Sequence, residues 1–415
     1  MVHGRGEPQP VPPGKLRGLR SVPTAGDIAT RICSVVRAQA GDDDGDIALH
    51  EPRFAGSEWE YVERCIDTGW VSSAGSYVDE FERRLAEYTG ARRAIVTVNG
   101  TAALHVALRL AGVEPGDEVL VPALTFVATA NAVTYCGAVP HFVESEEPTL
   151  GLSPSALAGY LSEIGERTDG GLRNRETGRR IRAVVPMHTF GHPVDLDGLA
   201  SVCERFGLPM VEDAAESLGS LYRGEHTGTR GLLGTLSFNG NKIITTGGGG
   251  AILTGDEEIA ARAKHLTTTA KKDHPWAYEH DRVGYNYRMP NINAALGCAQ
   301  LEQLPRFLKQ KRRLASRYEE AFEDLEGVTF VTESDCARSN YWLNALLLDE
   351  EIADRRDEIL QRTNDAGVHT RPAWRLMSRL PMYEDAPSMP LPCAESLERR
   401  LIDLPSSAAL GRESS

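Results

Sequence analysis

Cysteine is scarce and unorganised in this 415-residue chain. The seven, Cys33, Cys65, Cys136, Cys203, Cys298, Cys336 and Cys393, are an odd number without a CxxC pair or Cys/His ligand spacing. That pattern argues against a disulfide scaffold or a metal ribbon and predicts reduced, mostly buried thiols. Long apolar runs are missing too. No stretch approaches the roughly 18 to 20 uninterrupted apolar residues of a membrane-spanning helix, and the N-terminus lacks an apolar leader core, so a cytoplasmic location is expected. Positive charge is in deficit: 45 Lys and Arg face 59 Asp and Glu, a formal net charge of -14. Such a field repels nucleic acid and anionic membranes, and neither is expected as a partner. A small anionic substrate remains compatible if local arginines hold it.

Two basic runs stand out against that field. "RNRETGRRIR", Arg173 to Arg182, carries Gly and Asn and reads as a solvated surface hairpin or loop. "RFLKQKRRLASRY", Arg306 to Tyr318, has apolar residues at helical spacing, which makes its basic residues the wet face of a long helix.

With 41% hydrophobic residues the chain can bury one large core and a smaller second one. Residues 1–45 read as a flexible N-terminal extension, rich in Pro, Gly and Arg to about residue 26, then a short helical stretch and "GDDDG". From Ala94 onward "AIVTV", "EVLVPAL", "VPHFV", "IRAVVPM" and "LPMVEDA" are separated by helix-length segments, and "TLSF" and "GGAILTG" add two more strands. The expected fold class is therefore α/β, a mostly parallel seven-stranded sheet with covering helices over residues 46–325. A change of rhythm, "GVTFV", "YWLNALLL" and "GVHTRP" around a helical segment, predicts a smaller α+β domain over 326–415.

In an open α/β sheet, ligands collect at the carboxyl ends of the strands. Asn99-Gly100-Thr101 ends one strand and opens a helix; it is either an ordinary N-cap turn or a phosphate cradle. Phe126 follows another strand, as a core side chain or as a face for a planar ring. Glu212, Asp213 and Glu216 follow "LPMV", where an aspartate caps a helix or partners a buried cation. Ser237 and Lys242 lie in "SFNGNKIITTGGGG", whose glycines precede a strand and so are no Rossmann fingerprint. A phosphate cradle, an aromatic face, a carboxylate and a lysine together suit pyridoxal 5'-phosphate.

The order "NGTAAL", "PALTFVATANAV", "EDAAESLGS", "SFNGNKIITTGGGGAI", "GYNYRMPNINAALGCAQLEQL" and "TRPAWRLM" resembles the DegT/DnrJ/StrS family of sugar-nucleotide aminotransferases, over about Asp46 to Ser407. "HEPRFAG", "DTGWVSSAG", "PMHTFGHP" and "HLTTTAK" look like its branch acting on UDP- or GDP-linked 4-keto-6-deoxy-2-acetamido sugars, as in legionaminic acid and bacillosamine synthesis. The resemblance implies fold type I of the pyridoxal phosphate enzymes, with L-glutamate as amino donor. It makes Lys242 the Schiff-base lysine and proton shuttle, Asp213 the partner of the pyridine nitrogen, and Phe126 the ring's stacking face. It places Gly100, Thr101 and Ser237 around the phosphate. Glu216 stands where many relatives carry Gln or His near the ring. It further implies a homodimer with shared sites, in which Asn286 and Arg288 of "GYNYRMPN" reach the neighbour's cofactor phosphate. For the nucleotide sugar the expected residues are Arg53, Ser72, Ser73, His188, Arg371 and Arg375. A deoxysugar dehydratase on the same fold would carry histidine in place of Lys242, and a non-catalytic binding protein would lack Lys242 or Asp213.

Overall fold

The computed structural model describes residues 23–41 and 45–413. The seven apolar runs form seven strands: β1 (Arg93–Thr97), β2 (Glu118–Pro122), β3 (Val139–Val143), β4 (Arg180–Val184), β5 (Val211–Asp213), β6 (Leu233–Ser237) and β7 (Gly250–Thr254). They lie in the order β1, β7, β6, β5, β4, β2, β3, with β5 joined to β4 through the parallel bridges of Val184 with Met210 and Met187 with Asp213. Only β7 runs against its neighbours. Every residue of β2 and β7 is buried, because helices cover both faces. That double burial is why these strands read as apolar runs rather than alternations. The expected basic hairpin also forms, Gly171–Asn174 pairing with the start of β4.

Two helices set the geometry of the sheet's carboxyl edge. Gly100–Leu110 begins directly after β1 and buries eight of its eleven residues. Its apolar faces nearly encircle it, as a core helix requires. Asn99 caps it by accepting the Ala102 N–H at 2.7 Å. Asn291–Phe322, 32 residues long, ties the two cores together. Its first half packs Ala294, Cys298 and Leu304 against the large domain, and its second half packs Leu314, Tyr318 and Phe322 against the small one. One residue of its expected wet face departs from the pattern. Lys311 is fully buried and donates to the carbonyls of Trp342 and Ser406, and burial pulls its amine down to about 7.

The small domain is an antiparallel sheet of Val328–Phe330, Asn344–Leu348, Leu401–Leu404 and Arg371–Pro372, in that order. Leu401–Leu404 was absent from the expectation, since a four-residue run interrupted by Asp403 carries too little pattern. The N-terminal assignment needs correction. Ala25–Ala40 is a helix with a capping box at Thr24, and it packs Ile28, Ile32 and Val36 against Leu346, Leu348, Ile402 and Leu404. The segment after it also joins the small domain: Ile47 bridges Val368, and Leu49 accepts the Ser406 N–H at 2.7 Å. The surface these residues cover is built from the far end of the chain, so nothing local marked them as part of the fold. The tail reading for residues before 23 lies outside the described residues. If this helix is integral, Ile32→Ala should lower the unfolding free energy by about 2 to 5 kcal/mol in denaturant titration, whereas a detachable extension would give no change.

Candidate active site

Seven of the expected residues meet around one cavity of about 330 Å³ at the carboxyl edge of β1, β5 and β6: Gly100, Thr101, Phe126, Asp213, Glu216, Ser237 and Lys242. Elsewhere the hollow beside Glu82, Arg92 and Lys264 is wider, but its charges are already paired with one another or with Glu257. At the cavity floor, a Cβ on Gly100 would lie 2.9 Å from the Ser237 Cβ and 3.3 Å from the Leu236 carbonyl. Only glycine lets the helix N-terminus come this close to β6. Asn99 takes the Ala102 N–H, leaving those of Gly100 and Thr101 without an acceptor inside the helix. Open N–H groups, the dipole's positive end and the Ser237 hydroxyl form a cradle suited to an anion.

Asp213 ends β5 and is 5% exposed. Its Oδ2 accepts the Thr129 hydroxyl at 2.8 Å and its Oδ1 the Ala215 N–H at 3.2 Å. Burial pushes the carboxyl above its ordinary value, and these bonds with the fields of Lys242 and His188 only partly offset that. Phe126, at the N-cap of the helix Val127–Tyr135, is 49% exposed, so the core reading of this ring does not hold. Lys242 Nζ lies 3.2 Å from Glu216 Oε1 and 3.9 Å above the Trp342 ring. Glu216 Oε2 accepts the Phe190 N–H at 3.0 Å, and burial pushes this carboxyl up to about 7 against the pull of Lys242.

Residues 52–415 match the family model of the DegT/DnrJ/EryC1/StrS aminotransferases. The chain belongs to that family. The GDP-perosamine synthase of Caulobacter vibrioides is 38% identical over 365 residues, 88% of this chain and 94% of its own. The structure of the aminotransferase TlmJ from Streptoalloteichus hindustanus superposes with a TM-score of 0.79 at 30% identity, covering 87% of this chain and 94% of that one. DesI, solved in the presence of its TDP-sugar product, gives 0.77 at 30% identity, with 90% and 91% covered. The chain is thus a pyridoxal phosphate-dependent sugar aminotransferase of fold type I. The residues present fit the cofactor: an anion cradle, a buried acid short of a cation, an exposed aromatic face and an amine converge on one space.

The remaining expected residues of this DegT-family chain lie off that cavity wall. Asn286 is exposed and bridges Thr268, and Arg288 bridges Thr97 with its Nε buried and unpartnered among the described residues. Ser72 is exposed and accepts the Asn291 N–H through its carbonyl; Ser73 is half-buried. Arg53 is half-buried, with one buried terminal nitrogen unpartnered among the described residues. Arg371 is exposed and donates to Asn364 and to the Thr370 carbonyl, and Arg375 is exposed beside Trp374. His188 needs correction as a sugar ligand. It is fully buried, its Nδ1 accepts the Val194 N–H, and its Nε2 lies 3.1 Å from Glu212 Oε2. Both ring nitrogens are committed inside the protein.

Sequence reasoning missed Trp342, Trp374 and Thr129. Trp342 sat inside a small-domain strand run with no local sign of facing a lysine, and Thr129 within a helix whose hydroxyl meets Asp213 only in the fold. On this geometry His188→Ala should lower stability by about 2 to 4 kcal/mol, read by denaturant titration, while the KM for the sugar nucleotide of the folded enzyme stays near wild type. A raised KM at full stability would restore the ligand assignment.

Proposed function

We propose that this enzyme moves an amino group from L-glutamate to C4 of a nucleotide-linked 4-keto-6-deoxy-2-acetamido sugar carried on UDP or GDP. The products are a 4-amino-4,6-dideoxy sugar nucleotide and 2-oxoglutarate. The observation that carries it is the convergence of Lys242 and Asp213 on one cavity with an anion cradle at its floor. Likeness to GDP-perosamine synthases across 88% of the chain supports a nucleotide-sugar acceptor. Retention of both Lys242 and Asp213 disfavours the dehydratase and the non-catalytic readings.

When bound, pyridoxal phosphate supplies a carbonyl for amine exchange and a ring that accepts electrons from a carbanion. Lys242 would be the amine that holds its carbonyl carbon, Asp213 would face its ring nitrogen, Phe126 would cover the ring, and Gly100, Thr101 and Ser237 would hold the phosphate. Glu216 stands at the lysine rather than at the cradle. In the first half-reaction Lys242 Nζ would take a proton from the donor's alpha carbon and hand it to the cofactor's former carbonyl carbon; in the second it would carry one from that carbon to sugar C4. Ionised Asp213 would keep a proton on the ring nitrogen, which the ring needs in order to draw off electrons.

The reading includes a homodimer with shared sites. Its support is a set of large apolar side chains left exposed, Trp59 at 76%, Trp70 at 58% and Phe54 at 57%. In this reading Asn286 and Arg288 of one copy complete the phosphate site of the other, with Arg53, Ser72 and Ser73 at the sugar. Arg375, next to Trp374 on the cavity wall, is the better candidate than Arg371 for the diphosphate, since Asn364 already engages Arg371.

The test is a panel of UDP- and GDP-linked 4-keto-6-deoxy sugars, with and without the 2-acetamido group, assayed with glutamate for 2-oxoglutarate release. Wild type should turn over at least one 2-acetamido member, and Lys242→Ala should bind the cofactor non-covalently yet lose roughly a hundredfold or more in rate. No turnover across the panel, or a K242A enzyme near wild-type rate, would overturn the reading.

A further inference from the structure

Lys242 is held by two groups that amine transfer does not by itself require. Its Nζ sits between the Glu216 carboxylate at 3.2 Å and the Trp342 indole face at 3.9 Å, and the lysine side chain is only 12% exposed. Each wall is fixed from behind. Glu216 Oε2 takes the N–H of Phe190, a residue bent to a φ of 55°. The indole donates its Nε1–H to the Asn241 carbonyl at 2.7 Å, next to the lysine in the chain. Asn340 then joins the walls: its Nδ2 donates to the Glu216 carbonyl at 2.9 Å and its Oδ1 accepts the Trp342 N–H at 2.7 Å. Carboxylate and indole are thus one clamp built across the two domains.

We propose that Glu216 and Trp342 are positioning residues that hold Lys242 as an ammonium between its proton transfers. This rests on the reading of Lys242 as the proton-carrying amine. When Nζ accepts a proton it becomes a cation in a poorly hydrated place, and a carboxylate at hydrogen-bond distance and a π face beneath it both favour that charge. With Glu216 ionised the pair is neutral, so no net charge is left buried. The clamp also fixes where the proton is carried, because both contacts are directional. Other charges surround it: Asp213 from β5, His50 from the segment before the first large-domain helix, and Asp403 from the small-domain sheet feel these groups. Burial raises Glu216 toward neutrality, so the clamp weakens by protonation in mild acid.

Competitive labelling of the full-length, cofactor-free chain with fluorodinitrobenzene tests this, with Lys242 and Lys264 quantified by peptide mass spectrometry. Lys264, paired with Glu82 at 2.7 Å, is the internal reference. Removing the carboxylate while keeping its shape takes away the contact that favours the charged amine, so Glu216→Gln should label Lys242 severalfold faster at mildly alkaline pH, where Glu216 is ionised. Trp342→Leu should accelerate it roughly two- to fivefold, and Trp342→Phe, which keeps an aromatic face, much less. Rates at strongly alkaline pH, where the amine is neutral in every variant, correct for altered access. Unchanged Lys242 to Lys264 ratios in E216Q, or W342L and W342F alike after that correction, would overturn the clamp. Wild-type turnover on the sugar panel is a separate result, so the clamp can fail while the aminotransferase reading stands.

Discussion

A carboxylate buried at the end of a strand has to find hydrogen-bond donors or a cation, and the site is organised around that need. Glu212 and Asp213 are neighbours on β5, and strand alternation turns them to opposite faces. Glu212 is satisfied by the protein alone. It accepts the N–H groups of Gly228, Arg230 and Gly231 and faces the His188 ring, and although burial pushes its carboxyl up, these partners bring it below its ordinary value. Among the described residues the Asp213 carboxylate accepts from Thr129 and Ala215 alone, and its carboxyl stays raised. One acid has a complete set of partners; the other does not, and the proposed function gives it the cofactor. In the proposed function a protonated ring nitrogen would supply the missing positive charge.

The fold delivers the other groups to that acid. Parallel strands end on one edge, so Asn99 after β1, Asp213 at the end of β5 and Ser237 at the end of β6 meet without long loops. The small domain closes the opposite side. Trp342 and Trp374 line the cavity, Trp374 packs on Phe190 at 5.1 Å, and Asn340 bonds across to the loop that bears Glu216. Because the lysine, its carboxylate and its indole belong to both domains, domain packing and lysine orientation are one structural fact.

Legibility in the sequence followed the range of the interactions. The seven strands were readable because burial on both faces writes itself as consecutive apolar residues, and Asp213, Ser237 and Lys242 because they end such a run or lie in the glycine-flanked loop after it. Helix 25–40 was legible as a helix but not as part of the fold, since Ile32 meets residues from the far end of the chain. Lys311 looked like any exposed lysine in a basic run; its carbonyl partners come from other elements. His188 shows the reverse error: a polar residue beside a strand end was given to the substrate, and the fold gives it to Glu212. What stayed hidden is what only three-dimensional packing joins.

The central claim is that Asp213 acts on the ring nitrogen rather than as a structural acid. Asp213→Asn keeps the shape and the Thr129 contact but can no longer hold a proton on that nitrogen. Turnover measured at saturating cofactor should fall roughly a hundredfold or more, with a much smaller change in cofactor affinity and in thermal stability. Normal turnover at saturation, or a loss explained wholly by unfolding, would contradict the account.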